Sequence, residues 1–305
     1  MAQVAFVFAG QGAQYPGMGR ELYESSSAAR AVFDRAEEIR PGTLDMCFSG
    51  TSEELTKTIN TQPCLFAMDW ACAAAAVEAG AQPSMCAGFS LGEVAAAGFA
   101  GAMDFDQSFR FVIRRAKEMQ ACAEKVQGAM GAVLRLTSAQ VEDICREFEG
   151  GAYPVNYNCP GQTVVACRAE IFDALAARVA AEKGRMMRLK VGGAFHTPWM
   201  ESASRALAEY LAGQCLKKPD LPLYANLDAR PYGENAAELL SRQVCNPVRW
   251  QQTIENMAGA DLFVELGAGK TLSGLIKKTL PQARVCNVEK PEDIEKLKEA
   301  LGNAE

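Results

Sequence analysis

The segment Gly88-Phe89-Ser90-Leu91-Gly92 has the G-x-S-x-G spacing of a nucleophile elbow, in which a strand turns sharply into a helix and lifts a serine hydroxyl above the sheet. The glycines permit close backbone approach, and the first turn of the helix offers unpaired N–H groups to developing negative charge. The flanking residues have the required character, with an apolar run before the motif and the Ala-rich GEVAAAGFAGA after it. A helix N-cap serine packed between glycines is the plainer meaning of the same five residues.

A serine hydroxyl needs a neighbouring base to attack near neutral pH, most often an imidazole. The chain has one histidine. His196 lies in Gly192-Gly193-Ala194-Phe195-His196-Thr197-Pro198, where a glycine pair follows a strand and Thr-Pro can open a helix. Taken alone it reads equally as an unreactive loop histidine. Beside an elbow it is the only imidazole on offer, and the pair reads as the nucleophile and base of covalent acyl transfer. No acid stands out as orienter of the ring, a role that a backbone carbonyl also fills.

Two glycine-rich turns invite nucleotide readings that fail on spacing. In Gly10-Gln11-Gly12-Ala13-Gln14-Tyr15 the third glycine of a dinucleotide fingerprint falls on Tyr15. Before Gly269-Lys270-Thr271 the first glycine of a phosphate loop falls on Val264. Both read as tight strand-to-helix turns. Gln11 follows the first strand at its carboxyl end, where α/β sheets build their sites, so its backbone N–H is a candidate to join that of Leu91 in an oxyanion hole. On the helix expected over Asp104 to Lys125, Phe105, Phe109, Val112, Ala116 and Met119 share an apolar face. Arg114 falls on the solvent side. Arg115 falls at the edge of the apolar face, where a guanidinium either snorkels outward or reaches inward to a carboxylate.

These residues need a scaffold, and the sequence of 305 residues, 49% hydrophobic and 22% charged, is long enough for a substantial core. A net charge of −6 argues against nucleic acid as a partner. The absence of a long apolar run or a basic leader argues for a soluble, cytoplasmic protein away from membranes. Eleven cysteines without a C-x-x-C pair read as small buried residues in a reducing compartment, and with one histidine no metal site is expected.

Strand-like runs at Val4 to Phe8, Ser84 to Gly88, Leu221 to Asn226, Leu262 to Leu266 and Arg284 to Val288 alternate with helical segments at Gln62 to Ala79, Leu91 to Ala100, Asp104 to Lys125, Pro198 to Ala212 and Lys270 to Thr279. That alternation predicts an α/β fold with a parallel sheet. Between residues 128 and 191 the rhythm changes to β-α-β-β-α-β, a ferredoxin-like order. The expected organisation is a discontinuous large α/β domain (1–126 and 195–305) with an inserted ferredoxin-like small subdomain (127–194).

Read together, the motifs resemble the malonyl-CoA:acyl carrier protein transacylases and the acyltransferase domains of fatty acid and polyketide synthases. The likeness runs through FVFAGQGAQYPGMG (6–19), TQP (61–63), GFSLGE (88–93), RRAKEMQ (114–120), NYNCPGQTVV (156–165), GAFHTPWM (193–200), NPVRW (246–250) and ELGAGKTL (265–272). The resemblance implies a hydrolase-like α/β fold and a ping-pong transfer of malonyl from malonyl-CoA, through Ser90 with His196 as base, to the phosphopantetheine thiol of an acyl carrier protein. It implies oxyanion donors on the backbones of Gln11 and Leu91, a carboxylate-binding Arg115, cleft-lining Gln62 and Asn156, and a backbone carbonyl at Arg249 that orients His196. It implies no bound cofactor beyond the CoA thioester substrate. The family's usual G-H-S-x-G reads Phe89 in place of its histidine here, which leaves the base untouched and makes the pocket wall more apolar. A serine hydrolase and a non-catalytic carrier-docking module are the rival readings, and Lys183, Arg185, Arg188, Lys190, Lys217 and Lys218 are the basic residues offered to an acidic carrier.

Overall fold

The computed structural model describes residues 2–302. Its strands are β1 (Val4–Phe8), β2 (Met85–Gly88), β3 (Gly128–Leu134), β4 (Ala152–Cys159), β5 (Gln162–Arg168), β6 (Arg185–Arg188), β7 (Leu223–Tyr224), β8 (Leu262–Leu266) and β9 (Val285–Val288). Five of them form a parallel sheet in the order β7-β2-β1-β8-β9, and four an antiparallel sheet in the order β4-β5-β3-β6.

Every residue of β1 and β8 is buried, as central strands covered on both faces require. Side chains alternate across β1. Phe6 and Phe8 meet Phe99 at ring-centroid distances of 5.5 and 5.6 Å, on the side of the helices Thr58–Glu78, Leu91–Phe99 and Phe105–Lys125. Ala5 and Val7 join Trp250 and Ile254 on the other side. Asp104 starts the helix Phe105–Lys125 with a reciprocal capping box to Gln107. The helix Thr58–Glu78 begins ahead of the expected Gln62 and contains Pro63. The N–H that proline lacks leaves the Ile59 carbonyl without its helical donor, and Arg40 Nη2 approaches it at 3.5 Å.

The segment expected to be ferredoxin-like has that topology. The helices Ser138–Arg146 and Phe172–Ala181 pack on one face of the antiparallel sheet around Val133, Val141, Leu175 and Val179. The opposite face, through Met130, Ala132, Val155 and Val164, joins the core of the larger unit. The two chain crossings touch: a Cβ on Gly128 would lie 2.5 Å from the Ala194 Cβ. A second tie comes from Val248, which donates to the Val155 carbonyl and accepts from the Tyr157 N–H, both at 2.9 Å.

Leu221 to Asn226 forms only the two-residue β7, because the chain turns after Tyr224 and Ala225 donates to the Arg230 carbonyl instead of extending the sheet. Several helices were not anticipated, among them Ser27–Ile39, Ala236–Arg242, Trp250–Asn256 and Pro291–Gly302.

The Gly128–Ala194 contact leaves no room for a methyl group. Gly128→Ala is expected to lower stability by roughly 1–3 kcal/mol, the usual effect of overpacking. Gly259→Ala, where an added Cβ meets nothing within 4 Å, is expected to stay within about 0.5 kcal/mol. Urea midpoints at unchanged m-value measure both.

Candidate active site

The register of the parallel sheet sets Phe8 beside Gly88, so the loops after β1 and β2 leave it side by side at its carboxyl edge. Ser90 stands at that edge with φ 54° and ψ −99°, and the helix Leu91–Phe99 starts at the next residue. A positive φ on a non-glycine residue stores on the order of 1–3 kcal/mol. Close packing enforces it. A Cβ on Gly88 would lie 2.0 Å from the Gly92 carbonyl, and one on Gly92 would lie 2.2 Å from the Phe8 oxygen. Asn226 braces the turn from the other side, accepting from the Ser90 N–H at 2.7 Å and donating to the Gly88 carbonyl at 2.6 Å.

His196, on the loop that returns from the inserted segment, also has a positive φ, 62°. Its Nε2 is 2.8 Å from Ser90 Oγ. Its Nδ1 is 2.9 Å from the Gln243 carbonyl and 3.1 Å from that of Asn246. Carbonyls only accept, so Nδ1 carries the proton and Nε2 is left to accept from the Ser90 hydroxyl. Burial, reinforced by the nearby Arg115 charge, pushes the imidazole pKa down to about 4, against the pull of the two carbonyls. The ring is neutral at physiological pH, with Nε2 free to accept a proton.

Arg115 is 1% exposed. The helix Phe105–Lys125 turns it inward, where Nη2 donates to Ser90 Oγ at 3.1 Å and to Gln243 Oε1 at 2.9 Å. Arg114 turns out to solvent and pairs with Glu118. Burial lowers the Arg115 pKa to about 10, opposed by Glu93. Glu93 is itself fully buried, which raises its carboxyl to about 8 against hydrogen bonds from Tyr232 and the Asn226 N–H and the charge of Arg115. The Arg115 Nε has no partner among the described residues, so the buried fork keeps unused donor capacity beside the serine.

The remaining expected residues divide. Gln11 and Asn156 line a cleft of about 300 Å³ between the two sheets, together with Phe89, Asn158, Gln162 and Lys190. A Cβ on Gly10 would lie 2.6 Å from the Phe89 oxygen, which places the Gln11 loop directly against the elbow. Leu91 opens its helix and has no intrahelical acceptor for its N–H. Gln62 is buried, with Nε2 3.4 Å from the sulfur of Met119, one turn along the helix from Arg115. Phe89 packs edge-on against Trp250, with centroids 5.5 Å apart.

Arg249 is a correction. Its carbonyl accepts from the Thr253 N–H at 2.9 Å and from the Thr253 hydroxyl at 3.0 Å in the first turn of the helix Trp250–Asn256, so it is not the one that holds His196. The 3₁₀ turn Gln243–Cys245 aims the Gln243 and Asn246 carbonyls at the ring instead. Of the basic residues, Lys190 reaches the cleft and Arg188 lies over the Phe172 ring at 3.6 Å. The Lys217 N–H donates to the Ala102 carbonyl, beyond the far end of the helix that Ser90 starts.

A base-paired elbow serine on a parallel α/β sheet, with a ferredoxin-like segment across the cleft, is an architecture that comparison identifies. The chain belongs to the acyl transferase domain family, whose model matches residues 5–300. It is 38% identical over 318 residues to the malonyl CoA-acyl carrier protein transacylase of Bacillus subtilis (strain 168), covering 100% of both chains. It is 37% identical over 287 residues to that of Escherichia coli (strain K12), covering 91% of this chain and 93% of the relative. The crystal structure of malonyl CoA-acyl carrier protein transacylase from Clostridium perfringens Atcc 13124 superposes with a TM-score of 0.94 at 34% identity, covering 99% and 98% of the two chains. A malonyl-transacylase in complex with its type II polyketide acyl-carrier protein superposes at 0.93 with 32% identity, covering 98% and 99%.

The depressed imidazole pKa fixes a pH signature. The rate of Ser90 acylation at low substrate is expected to stay level as pH falls through 6.5, with its acid limb near 4. Stability should follow the same proton: the unfolded chain binds it first, so stability falls as pH drops from 6.5 towards 4. An acid limb at the free-imidazole value would mean that His196 is solvated in the working enzyme.

Proposed function

We propose that the protein transfers a malonyl group from malonyl-CoA to the phosphopantetheine thiol of an acyl carrier protein by a ping-pong mechanism through malonyl-Ser90. The observation that carries this reading is the convergence on one hydroxyl of a neutral imidazole and a buried guanidinium. The malonyl CoA-acyl carrier protein transacylase names of the relatives agree with it.

Ser90 gives its proton to His196 Nε2 as Oγ attacks the thioester carbonyl. The backbone N–H groups of Gln11 and Leu91 receive the oxyanion. As the C–S bond breaks, His196 returns the proton to the departing CoA thiolate, leaving an ester on Ser90. The carrier thiol then repeats the steps in reverse. Each half-reaction exchanges an alcohol and a thiol at one carbonyl, so it balances without electron transfer and asks for no cofactor beyond the CoA thioester. Arg115 binds the free carboxylate of the acyl group, while Gln62 and Asn156 line its path.

In this reading the cleft lies between a large domain formed by 1–126 and 195–305 and an inserted subdomain formed by 127–194. We place the work in the cytoplasm, where eleven unpaired cysteines are at home. No helix among the described residues is long and apolar enough to cross a membrane.

Intact-protein mass spectrometry after exposure to malonyl-CoA tests the intermediate: one malonyl adduct is expected on the wild type and none on Ser90→Ala. Faster release of that adduct to water than to the carrier thiol would favour a hydrolase. Arg115→Ala is expected to lower malonyl transfer by roughly 2–5 kcal/mol in transition-state free energy, the scale of a broken buried charge pair, while acetyl transfer holds or rises. Arg115→Lys should recover only part, since a point charge cannot reproduce the planar fork. Arg114→Ala is the control; loss of malonyl selectivity there, with Arg115→Ala unaffected, would overturn the assignment.

A further inference from the structure

Arg115 does not stand alone behind the serine. Its Nη2 is held by Gln243 Oε1, and the same amide donates through Nε2 to the Ser90 carbonyl and to Glu93 Oε2, both at 3.0 Å. Glu93 Oε1 accepts from the Tyr232 hydroxyl at 2.5 Å and from the Asn226 N–H at 3.1 Å. Arg115, Gln243, Glu93 and Asn226 are each at most 1% exposed, so no solvent competes for these bonds. We propose that Glu93 is a positioning residue for acyl selectivity: through the Gln243 amide it fixes the orientation of the Arg115 guanidinium that meets the acyl carboxylate. This rests on the transfer reading given above.

The amide's polarity decides the arrangement. Gln243 Nε2 is drawn to two acceptors, the Ser90 carbonyl and Glu93 Oε2, and this leaves Oε1 facing Arg115. With Glu93 accepting, both bonds of Nε2 agree; with a donor at that place, Nε2 keeps only the Ser90 carbonyl and the amide's hold on the guanidinium loosens. Glu93 makes no hydrogen bond to the serine hydroxyl; it reaches Arg115 through Gln243 and the elbow through Asn226, so acetyl-CoA serves as the reference for any loss common to both acyl groups. The guanidinium held in this way keeps its remaining N–H edges for an incoming carboxylate, so less ordering is left for the moment of binding.

Glu93→Gln places a donor against Gln243 or Asn226 at nearly unchanged volume. Malonyl-CoA acylation of Ser90 is expected to lose roughly ten-fold or more in kcat/KM beyond any loss with acetyl-CoA, the scale of one hydrogen bond to a charged group, with the excess in KM. Gln243→Met removes the amide, keeps the backbone carbonyl that holds His196, and should show the same malonyl-specific loss; it decides the matter if Glu93→Gln does not fold. Tyr232→Phe breaks a Glu93 bond that does not lead to Arg115, and should move malonyl and acetyl together. Equal losses for the two acyl groups in both Glu93→Gln and Gln243→Met would overturn the proposal. A readout free of turnover separates it from the transfer reading: guanidinium proton NMR signals of Arg115, distinct when the group is held, should merge in Glu93→Gln and Gln243→Met. Persistence of distinct signals in both would also overturn it, whereas a wild type that never acquires malonyl would count against the transfer reading alone.

Discussion

A guanidinium taken out of water must find its solvation again inside the protein, and Arg115 does so without a direct carboxylate partner. Its charge is met by a neutral amide, a serine hydroxyl and, behind them, a buried glutamate. An unpaired buried charge costs several kcal/mol, so the surrounding polar groups have little freedom. Gln243 has to present its oxygen, Glu93 has to be held by three donors, and the chain from 243 to 246 has to run where its carbonyls also reach His196. The histidine and the buried arginine beside the serine are therefore set by one short turn. The same positive charge helps to keep the imidazole neutral, which is the state a general base must be in.

The proposed nucleophile and base both sit on backbone that ordinary residues avoid, Ser90 at φ 54° and His196 at φ 62°. Neither is relieved locally, since each neighbouring glycine contact and hydrogen bond holds the strained form. Strain of this kind persists only where the surroundings over-determine it. Here they are the Phe8–Gly92 approach on one side and the Val244 carbonyl, which accepts from the His196 N–H at 3.1 Å, on the other.

Much of this was legible in the residues. The buried strands β1, β2 and β8 are short apolar runs with no competing period, and the inserted segment announces itself by its change of rhythm. The elbow and the single imidazole leave little choice of nucleophile and base, and helical phase alone separates Arg115 from Arg114. What escaped depends on directions that residue types do not encode. Which carbonyl faces His196 follows from the 3₁₀ turn Gln243–Cys245, so the choice of Arg249 missed by three residues or more. Asn226 and Gln243 are amides in unremarkable stretches, and only tertiary contact gives them meaning. Glu93 did carry a signal: a lone acid in the Ala-rich segment after the elbow has no solvent-facing side to occupy. The helices Ser27–Ile39 and Ala236–Arg242 lie in segments whose periodicity is weaker than that of the helices flanking the elbow.

The central strand of the large sheet is drawn from the start of the chain, yet one of its two neighbours comes from near the end, with Val4 set beside Leu262. During synthesis from the N-terminus β1 therefore waits, one edge unsatisfied, until almost the whole polypeptide has emerged. The antiparallel sheet has no such delay, because all its pairings fall between residues 128 and 188. Loop-closure entropy favours the nearer partners first. The order of assembly thus runs opposite to the order of importance: the cleft's outer wall is free to form early, while the central strand that leads to the site gains its second neighbour only when β8 docks. A ribosome-bound chain stalled before Leu262 would carry Ser90 and His196 on a sheet whose central strand still has an open edge.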